Sequence, residues 1–271
     1  MTDRHWFSLA VVFYGVAALY SIFVFRKGFR KDTWVSYGLI AAGLVCHMAA
    51  MATRGMTFQR CPTNNLYEAT LFLEWAMVVA YLVIGALPRL RFLGAFLAPV
   101  LLAIGVFALM PQLDPPYGDR PNFSGGLSSL HKALILLSYG AFGFAAVAGL
   151  MYLMQERDLK FHKTRALLSR LPPIQRLEIV MSRLVLAGFA LLTVGLVVSA
   201  LYLRQAMGIY FTTDALAVYS ACVWLLYLGM VVARWRFSQR GRRMALGAVG
   251  SFVFIMLTFW GIFLLSGIHN R

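Results

Sequence analysis

The chain has 271 residues, of which 61% are hydrophobic and 13% charged, and its mean hydropathy is +0.73. A soluble globular domain carries about 25% charged residues, so this composition excludes a soluble fold and indicates an integral membrane protein. The excess of 25 Lys and Arg over 10 Asp and Glu could indicate nucleic-acid binding. The charges cluster between apolar runs, however, which favours membrane orientation and contact with the lipid bilayer over a nucleic-acid partner.

Eight apolar runs of roughly 20 residues follow one another along the chain, each long enough for a helix that crosses a bilayer core of ~30 Å. They predict an all-α fold, a polytopic membrane helix bundle with eight transmembrane helices in one domain over residues 1–271. The predicted spans are residues 6–25, 34–53, 66–87, 92–111, 129–154, 184–207, 215–233 and 244–268. Four prolines fall near or between span ends, where they interrupt no helix: Pro88, Pro111, Pro172 and Pro173.

The distribution of basic residues predicts how the spans are oriented. Most Lys and Arg lie in the segments after spans 1, 3, 5 and 7. Cytoplasmic loops carry an excess of these residues, so the four segments are predicted to be cytoplasmic. Both termini and the loops near residues 54–65, 112–128 and 208–214 are then external.

Two further features lie in and after span 5. Ala141, Ala145 and Gly149 recur every four residues, which predicts a small-residue face for close helix packing.

Residues 155–183 form a basic cytoplasmic linker, and four of its leucines could build an amphipathic helix on the membrane surface: Leu159, Leu167, Leu168 and Leu171.

The three cysteines exclude two classes of redox protein. Cys46, Cys61 and Cys222 form neither a C-x-x-C motif nor a C-x-x-C-H motif. The chain is therefore neither a thioredoxin-like protein nor itself a c-type cytochrome.

Three histidines lie in or beside apolar runs. His131 opens span 5 and His269 closes span 8, so the predicted topology places both at the external surface. Imidazole is the commonest protein ligand for a metal, haem iron included, so this pair predicts two ligands for one iron. The alternative is that each of the two histidines lies at the hydrated boundary of the membrane and binds no metal. His47 lies 13 residues beyond Trp34, about 20 Å along a helix, where it is either a ligand or a polar contact between helices.

Polar residues near the external ends of spans 3 and 7 add to the candidate site. Glu68 falls in the first turn of span 3, where the helix dipole favours a carboxylate. Glu74 lies two turns deeper and requires a partner, water, a proton or a cofactor propionate. Tyr210, Phe211 and Asp214 form either an interfacial aromatic belt with a capping Asp or a platform for a flat hydrophobic ring.

Three segments stand out in order along the chain: P-T-N-N-L-Y-E-A-T-L-F-L-E-W, L-H-K-A-L-I-L-L-S-Y-G and L-S-G-I-H-N. They resemble, in the same order, segments of the haem-handling cytochrome c assembly proteins of the CcsA/ResC type, with the related HemX-like and YpjD-like proteins. In the first segment the matching residues are Asn65, Leu66, Tyr67, Glu68, Phe72 and Trp75, while Glu74 replaces a small residue. The resemblance covers nearly the whole chain.

The resemblance implies a set of haem ligands. His131 and His269 would ligate the iron of haem b, held transiently or stably, at the outer face. His47 matches the first of an intramembrane pair of haem ligands. The other cofactor-binding residues that it implies are Gly208, Tyr210, Phe211, Asp214, Trp75 and Glu68.

Two departures distinguish this chain from the full family pattern. The family's tryptophan-rich segment is here M-G-I-Y-F-T-T-D-A-L-A, which keeps Gly208, Tyr210 and Asp214 but not the tryptophans. The place of the second intramembrane histidine is taken by Val232 or Arg234. These departures resemble the divergent HemX-like or YpjD-like branch.

The function implied is haem handling in c-type cytochrome biogenesis, at the outer face of a bacterial cytoplasmic (inner) membrane. The partners implied are a ResB-type membrane protein and apocytochrome c, within a haem-attachment complex to which this chain contributes no catalytic residue of its own. One alternative is a HemX-like regulator of haem biosynthesis that docks through residues 155–183. Another is a small-molecule transporter, which the mostly unbroken spans disfavour.

Overall fold

The computed structural model describes residues 2–26, 33–58, 63, 65–87, 90–114, 126–160, 173–213, 215–236 and 241–265. Eight α-helices account for nearly all of these residues. They are α1 (Asp3–Arg26), α2 (Thr33–Phe58), α3 (Leu66–Gly85), α4 (Gly94–Ala108), α5 (Gly126–Lys160), α6 (Ile174–Met207), α7 (Ala215–Arg236) and α8 (Arg242–Leu265). All eight are long and apolar enough to cross a membrane, so the predicted all-α, eight-span fold is confirmed.

Several helices extend further than the predicted spans at their polar ends, whereas α3 and α4 are shorter than predicted. With 35 residues, α5 is about 52 Å long, well beyond a hydrocarbon core of ~30 Å. Together α5 and α6 include much of the predicted 155–183 linker, because Lys, Arg, Glu and Leu are good helix formers outside the membrane as well. Leu159 lies in α5, and Leu167, Leu168 and Leu171 lie outside the described residues.

Local residues account for several of the helix ends, and the prolines near span ends lie outside the α-helices where the structure describes them. The side-chain oxygen of Asn65 accepts a hydrogen bond from the backbone N–H of Glu68 at 2.7 Å and so caps α3. Pro173 directly precedes α6, and Pro111 begins a short 3-10 helix after α4. Gly208 ends α6 with a φ of 73°, a left-handed conformation that favours glycine.

Helix α5 lies at the centre of the bundle and packs against α3, α6 and α8. Its residues 138–149 are all buried. The predicted small-residue face is confirmed as a packing surface, since a Cβ added to Gly149 would lie 3.1 Å from the backbone carbonyl of Ala245 in α8. By contrast, α7 is the least buried helix and exposes apolar side chains such as Val218 and Leu225, as a lipid-facing helix does.

Ionic contacts show that the first four helices alternate in direction. At the end of α2, Arg54 contacts Asp3 at the start of α1, Glu68 at the start of α3 and Asp114 after α4. The starts of α1 and α3 and the ends of α2 and α4 therefore lie at one end of the bundle. The assignment of this end to the external side stays a prediction.

Candidate functional site

A pocket of about 170 Å³ lies beside His131, one turn into α5. Four helices surround it: α3 with Ala69, α5 with His131, α7 with Tyr219 and α8 with Phe259. Segments that are far apart in the sequence thus meet at one place. Two of them carry sequence landmarks, because Ala69 lies within the first landmark and His131 is the second residue of the second.

The imidazole of His131 is fixed by the backbone of α6. Its Nδ1 lies 2.8 Å from the carbonyl oxygen of Gly195. A carbonyl can only accept, so Nδ1 carries the hydrogen and Nε2 holds the lone pair. Metal-binding histidines are oriented in this way, with one ring nitrogen bonded to a carbonyl and the other left to the metal.

The close approach of α6 to α5 at this point depends on a glycine. A Cβ added to Gly195 would lie 3.0 Å from Cδ1 of Ile135 and 3.3 Å from Cβ of Leu134. Both distances are shorter than ordinary van der Waals contact, so a larger residue would require these side chains, or the backbone of α6 that carries the carbonyl, to shift by a few tenths of an ångström. The absence of a side chain at Gly195 is therefore part of how His131 is held.

Aromatic rings of Tyr139, Tyr219 and Phe259 line the pocket together with aliphatic side chains. The rings of Tyr139 and Phe259 meet edge to face with centroids 5.9 Å apart, and the hydroxyl of Tyr219 donates to the carbonyl of Ile255 at 3.4 Å. Lys132 and Ser220 add polar groups at the lining. Cofactor pockets measure about 300–1,000 Å³, so the described residues have room for part of a flat ring beside one nitrogen ligand.

Glu68 lies on the other side of α3, in the Arg54 cluster (Asp3, Arg54, Glu68 and Asp114). Arg54 donates from Nε to Glu68 at 2.9 Å, from Nη1 to Asp3 at 2.9 Å and from Nη1 to Asp114 at 3.0 Å. Arg54 and Glu68 are both buried. The structure thus places Glu68 in a cluster that joins four helix ends, and Glu68 does not line the pocket beside His131.

His47 lies in the core between α1, α2 and α3. The hydroxyl of Tyr14 is 3.2 Å from its Nδ1, and the ring of Phe7 packs edge to face against it at 5.0 Å. Its Nε2 has no hydrogen-bond partner among the described residues, although a backbone group of Leu71 lies close to the ring. His47 is completely buried and is separate from the pocket beside His131.

The segment after α6 projects away from His131. Gly208 lies 13 residues beyond Gly195, which is about 20 Å along the helix. Tyr210 lies under the guanidinium of Arg204, at 5.2 Å from the ring centroid, and Phe211 is 83% exposed. The chain then returns, because Leu216 at the start of α7 lines the pocket. Asp214 lies outside the described residues.

Two further predicted residues lie apart from the pocket lining. Trp75 is half-buried and packs against Phe72, with ring centroids 5.5 Å apart. His269 lies outside the described residues, beyond the end of α8 at Leu265. Of the predicted site residues, His131 alone lines the pocket among those that the structure describes.

Sequence reasoning missed the residues that complete the pocket and the cluster. Gly195 could not be recognised because it acts through its backbone carbonyl, which every residue type has. Tyr219 and Phe259 could not be recognised because aromatic residues are common in apolar helices. Arg54 did leave a signal. It is an isolated arginine at the end of an apolar run, in a segment predicted to be an external loop.

Comparisons with known proteins give a consistent result. The family described as cytochrome C assembly protein matches residues 63–269. A cytochrome c biogenesis protein CcsA of Guillardia theta is 24% identical over 91% of this chain and 88% of that protein. Protein HemX of Brevibacillus brevis is 25% identical over 100% of this chain and 99% of that protein.

A solved structure has the same fold. The cytochrome c heme lyase CcmF matches with a TM-score of 0.70 at 14% sequence identity, over 100% of this chain. This chain spans about half of the lyase, since the match covers 51% of that protein. The two proteins are alike in the fold of the eight helices.

Proposed function

Because this chain belongs to the cytochrome C assembly protein family, we propose that it is a multi-pass membrane protein of c-type cytochrome maturation that presents haem at the outer face of the membrane. The observation that carries the proposal is the pocket beside His131, at which the first two sequence landmarks meet through Ala69 and His131. Nδ1 of His131 is hydrogen bonded to the carbonyl oxygen of Gly195, so the lone pair of Nε2 is free to bind iron. The proposed iron ligand is therefore an imidazole that is already fixed in one tautomer.

The residues present fit one side of a haem. A single nitrogen ligand, edge-to-face aromatic rings and an apolar lining suit a flat hydrophobic macrocycle, and Lys132 at the same pocket suits an anionic propionate. We propose His269 as the second ligand, from the segment after α8. Bound haem would supply the vinyl groups to which the cysteine thiols of an apocytochrome add. The chain's own share is to bind the ring, orient it and keep the iron ligated.

The finer details of the proposal follow the family resemblance. The haem is haem b, the membrane is the bacterial cytoplasmic (inner) membrane, and the partners are a ResB-type protein and apocytochrome c. Glu68 and Trp75, on α3, would stabilise the helix that forms one wall of the pocket. The segment after α6 that holds Gly208, Tyr210, Phe211 and Asp214 would form a platform for the haem edge or for a partner. The exposed aromatic ring of Phe211 supports this role.

The proposal is tested by titrating the purified full chain with haem in detergent and recording visible absorption, beside the detergent alone. We expect a saturable spectrum of imidazole-ligated haem at a stoichiometry of about one per chain. Absorption that matches haem in empty micelles, in both the oxidised and the reduced state, would contradict haem handling.

A second candidate is a HemX-like regulator of haem biosynthesis. The nearly complete mutual coverage with Protein HemX of Brevibacillus brevis favours it. The two candidates are distinguished in a bacterial host from which the native gene has been deleted. Loss of c-type cytochromes with normal total haem supports assembly, whereas altered total haem with normal c-type cytochromes supports regulation.

Substitution of Gly195 by alanine is expected to weaken haem binding by about 10–100-fold, the loss typical when the outer partner of a ligand histidine is disturbed. The added methyl group would contact Ile135 and Leu134 and displace the carbonyl that fixes His131. Haem titration measures the change. Gly229→Ala is the matched control, because a Cβ at Gly229 meets nothing within 4 Å. Equal affinities for the two variants would show that the carbonyl of Gly195 has no part in binding.

A further inference from the structure

Glu74 is an acidic side chain in the interior of the bundle with no explained partner. It is 0% exposed, and neither carboxylate oxygen forms a hydrogen bond with the described residues. Its Oε1 lies 3.3 Å from the position that a Cβ on Gly105 of α4 would occupy. That Cβ would also lie 2.6 Å from Cγ2 of Val11, so Gly105 leaves the space between α1, α3 and α4 in which the carboxyl group lies.

Two more buried polar groups share the face of α3 that carries Glu74. The hydroxyls of Tyr67 and Thr70 are buried, and neither has a hydrogen-bond partner among the described residues. Positions 67, 70 and 74 fall on one side of a helix, because residues three, four and seven apart are neighbours on its surface. The row is about 10 Å long, at seven steps of 1.5 Å.

The row begins at the Arg54 cluster. The guanidinium of Arg54 lies 5.1 Å from the ring centroid of Tyr67, and that of Arg4 lies 5.4 Å from it. Asp3 and Asp114 in the cluster are partly exposed. The polar row therefore runs from the solvent-accessible end of the bundle into its apolar interior.

In the part of the chain that the structure describes, the titratable groups near Glu74 come from two helices, α1 and α2. From α1, the hydroxyl of Tyr14 lies close enough for electrostatic interaction with both Glu74 and Cys46 of α2. His47, also on α2, is hydrogen bonded to that same hydroxyl. The sequence of α4 contains no titratable residue. Among the described residues, no Lys or Arg forms an ion pair with Glu74.

An unpaired carboxylate in an apolar interior is far less favourable than the neutral acid, so Glu74 carries a proton. Buried hydroxyls without protein partners are the positions at which internal water binds. We propose that Glu74 is a proton-binding site inside the bundle, and that it exchanges its proton with solvent through water held along the Tyr67 and Thr70 face of α3. In each exchange one proton passes from the carboxyl group to a neighbouring water and another proton returns from the water, so the carboxyl group ends neutral and no electron moves. This inference does not depend on haem binding.

Infrared spectroscopy of the full chain in lipid vesicles tests the proton site. We expect a carbonyl stretch of a protonated carboxylic acid that shifts when H₂O is replaced by D₂O. The band is expected to be absent in Glu74→Gln and present in the control Glu156→Gln, whose carboxyl group lies at the surface. Glutamine has the same shape and is neutral, so the variant should fold. Glu74→Ser serves as a second variant with the small side chain of the family pattern.

The path is tested by the double variant Tyr67→Phe with Thr70→Val, which removes both hydroxyls and keeps the shapes of the side chains. The band is expected to persist in this variant, while its shift in D₂O becomes several-fold slower than in the unmodified chain. Absence of any Glu74-dependent band in the unmodified chain would overturn the proton site. A shift that is equally fast in the double variant would overturn the path.

Discussion

Replacement of Arg54 by methionine is expected to lower the free energy of unfolding by about 3–5 kcal/mol, the effect of removing one partner from a buried ion pair. Arg54 lies among three carboxylates at the meeting point of α1, α2, α3 and α4. Methionine retains most of the packing volume but leaves Glu68, Asp3 and Asp114 with mutual repulsion and without the guanidinium. Unfolding in mixed detergent micelles, followed by the helical circular dichroism signal, measures the change.

Arg242→Met is the matched control for this experiment. Arg242 lies 3.9 Å from Glu156 and its side chain is 62% exposed, so its loss is expected to change stability by less than about 1 kcal/mol. Addition of Glu68→Gln to Arg54→Met should recover part of the lost stability, because the buried negative charge is removed as well. Similar effects of Arg54→Met and Arg242→Met would show that the cluster does not hold the four helices together.

The second large effect is expected at His131. His131→Ala should weaken haem binding by more than the about 10–100-fold expected from loss of an outer partner, because the ligand itself is removed. The absorption spectrum of any haem that remains bound should change, since one axial nitrogen is lost. Titration of the purified variant with haem, beside the unmodified chain, measures both changes.

Rescue distinguishes loss of a ligand from a general defect in folding. In His131→Gly the side-chain space is open, and added imidazole is expected to restore the spectrum of the unmodified chain. His5→Ala is the control, since His5 is exposed and lies outside the pocket. Haem binding by His131→Ala with unchanged affinity and spectrum would exclude His131 as an iron ligand.

The sequence was sufficient to predict the helices. Each apolar run is a span because the backbone in a lipid environment has to satisfy its own hydrogen bonds, and a helix does so locally. Local signals also set individual helix ends, as the Asn65 cap of α3 and the left-handed Gly208 at the end of α6 illustrate. The ends of α5 and α6 were predicted less well, because hydrophobicity marks where the membrane ends and gives no indication of where a helix ends.

The candidate site was only partly accessible to sequence reasoning. His131 was recognised by its residue type and its place at a span end, and it does line a pocket. Glu68 and His47, which were grouped with it, occupy separate environments in the Arg54 cluster and beside Tyr14. The sequence could not separate these groups, since position along a helix gives depth in the membrane and gives no information about neighbours.

What the sequence by itself determined is therefore the number and order of the helices and the position of each polar residue along its helix. The tertiary structure alone decided which side chains meet. The partner of His131 is a backbone carbonyl 64 positions away, and Arg54 binds carboxylates 14, 51 and 60 positions away. The physical reason is that lipid-facing and core-facing positions are both apolar in a membrane helix, so the hydrophobic pattern does not define the buried face, and packing between helices sets their rotation.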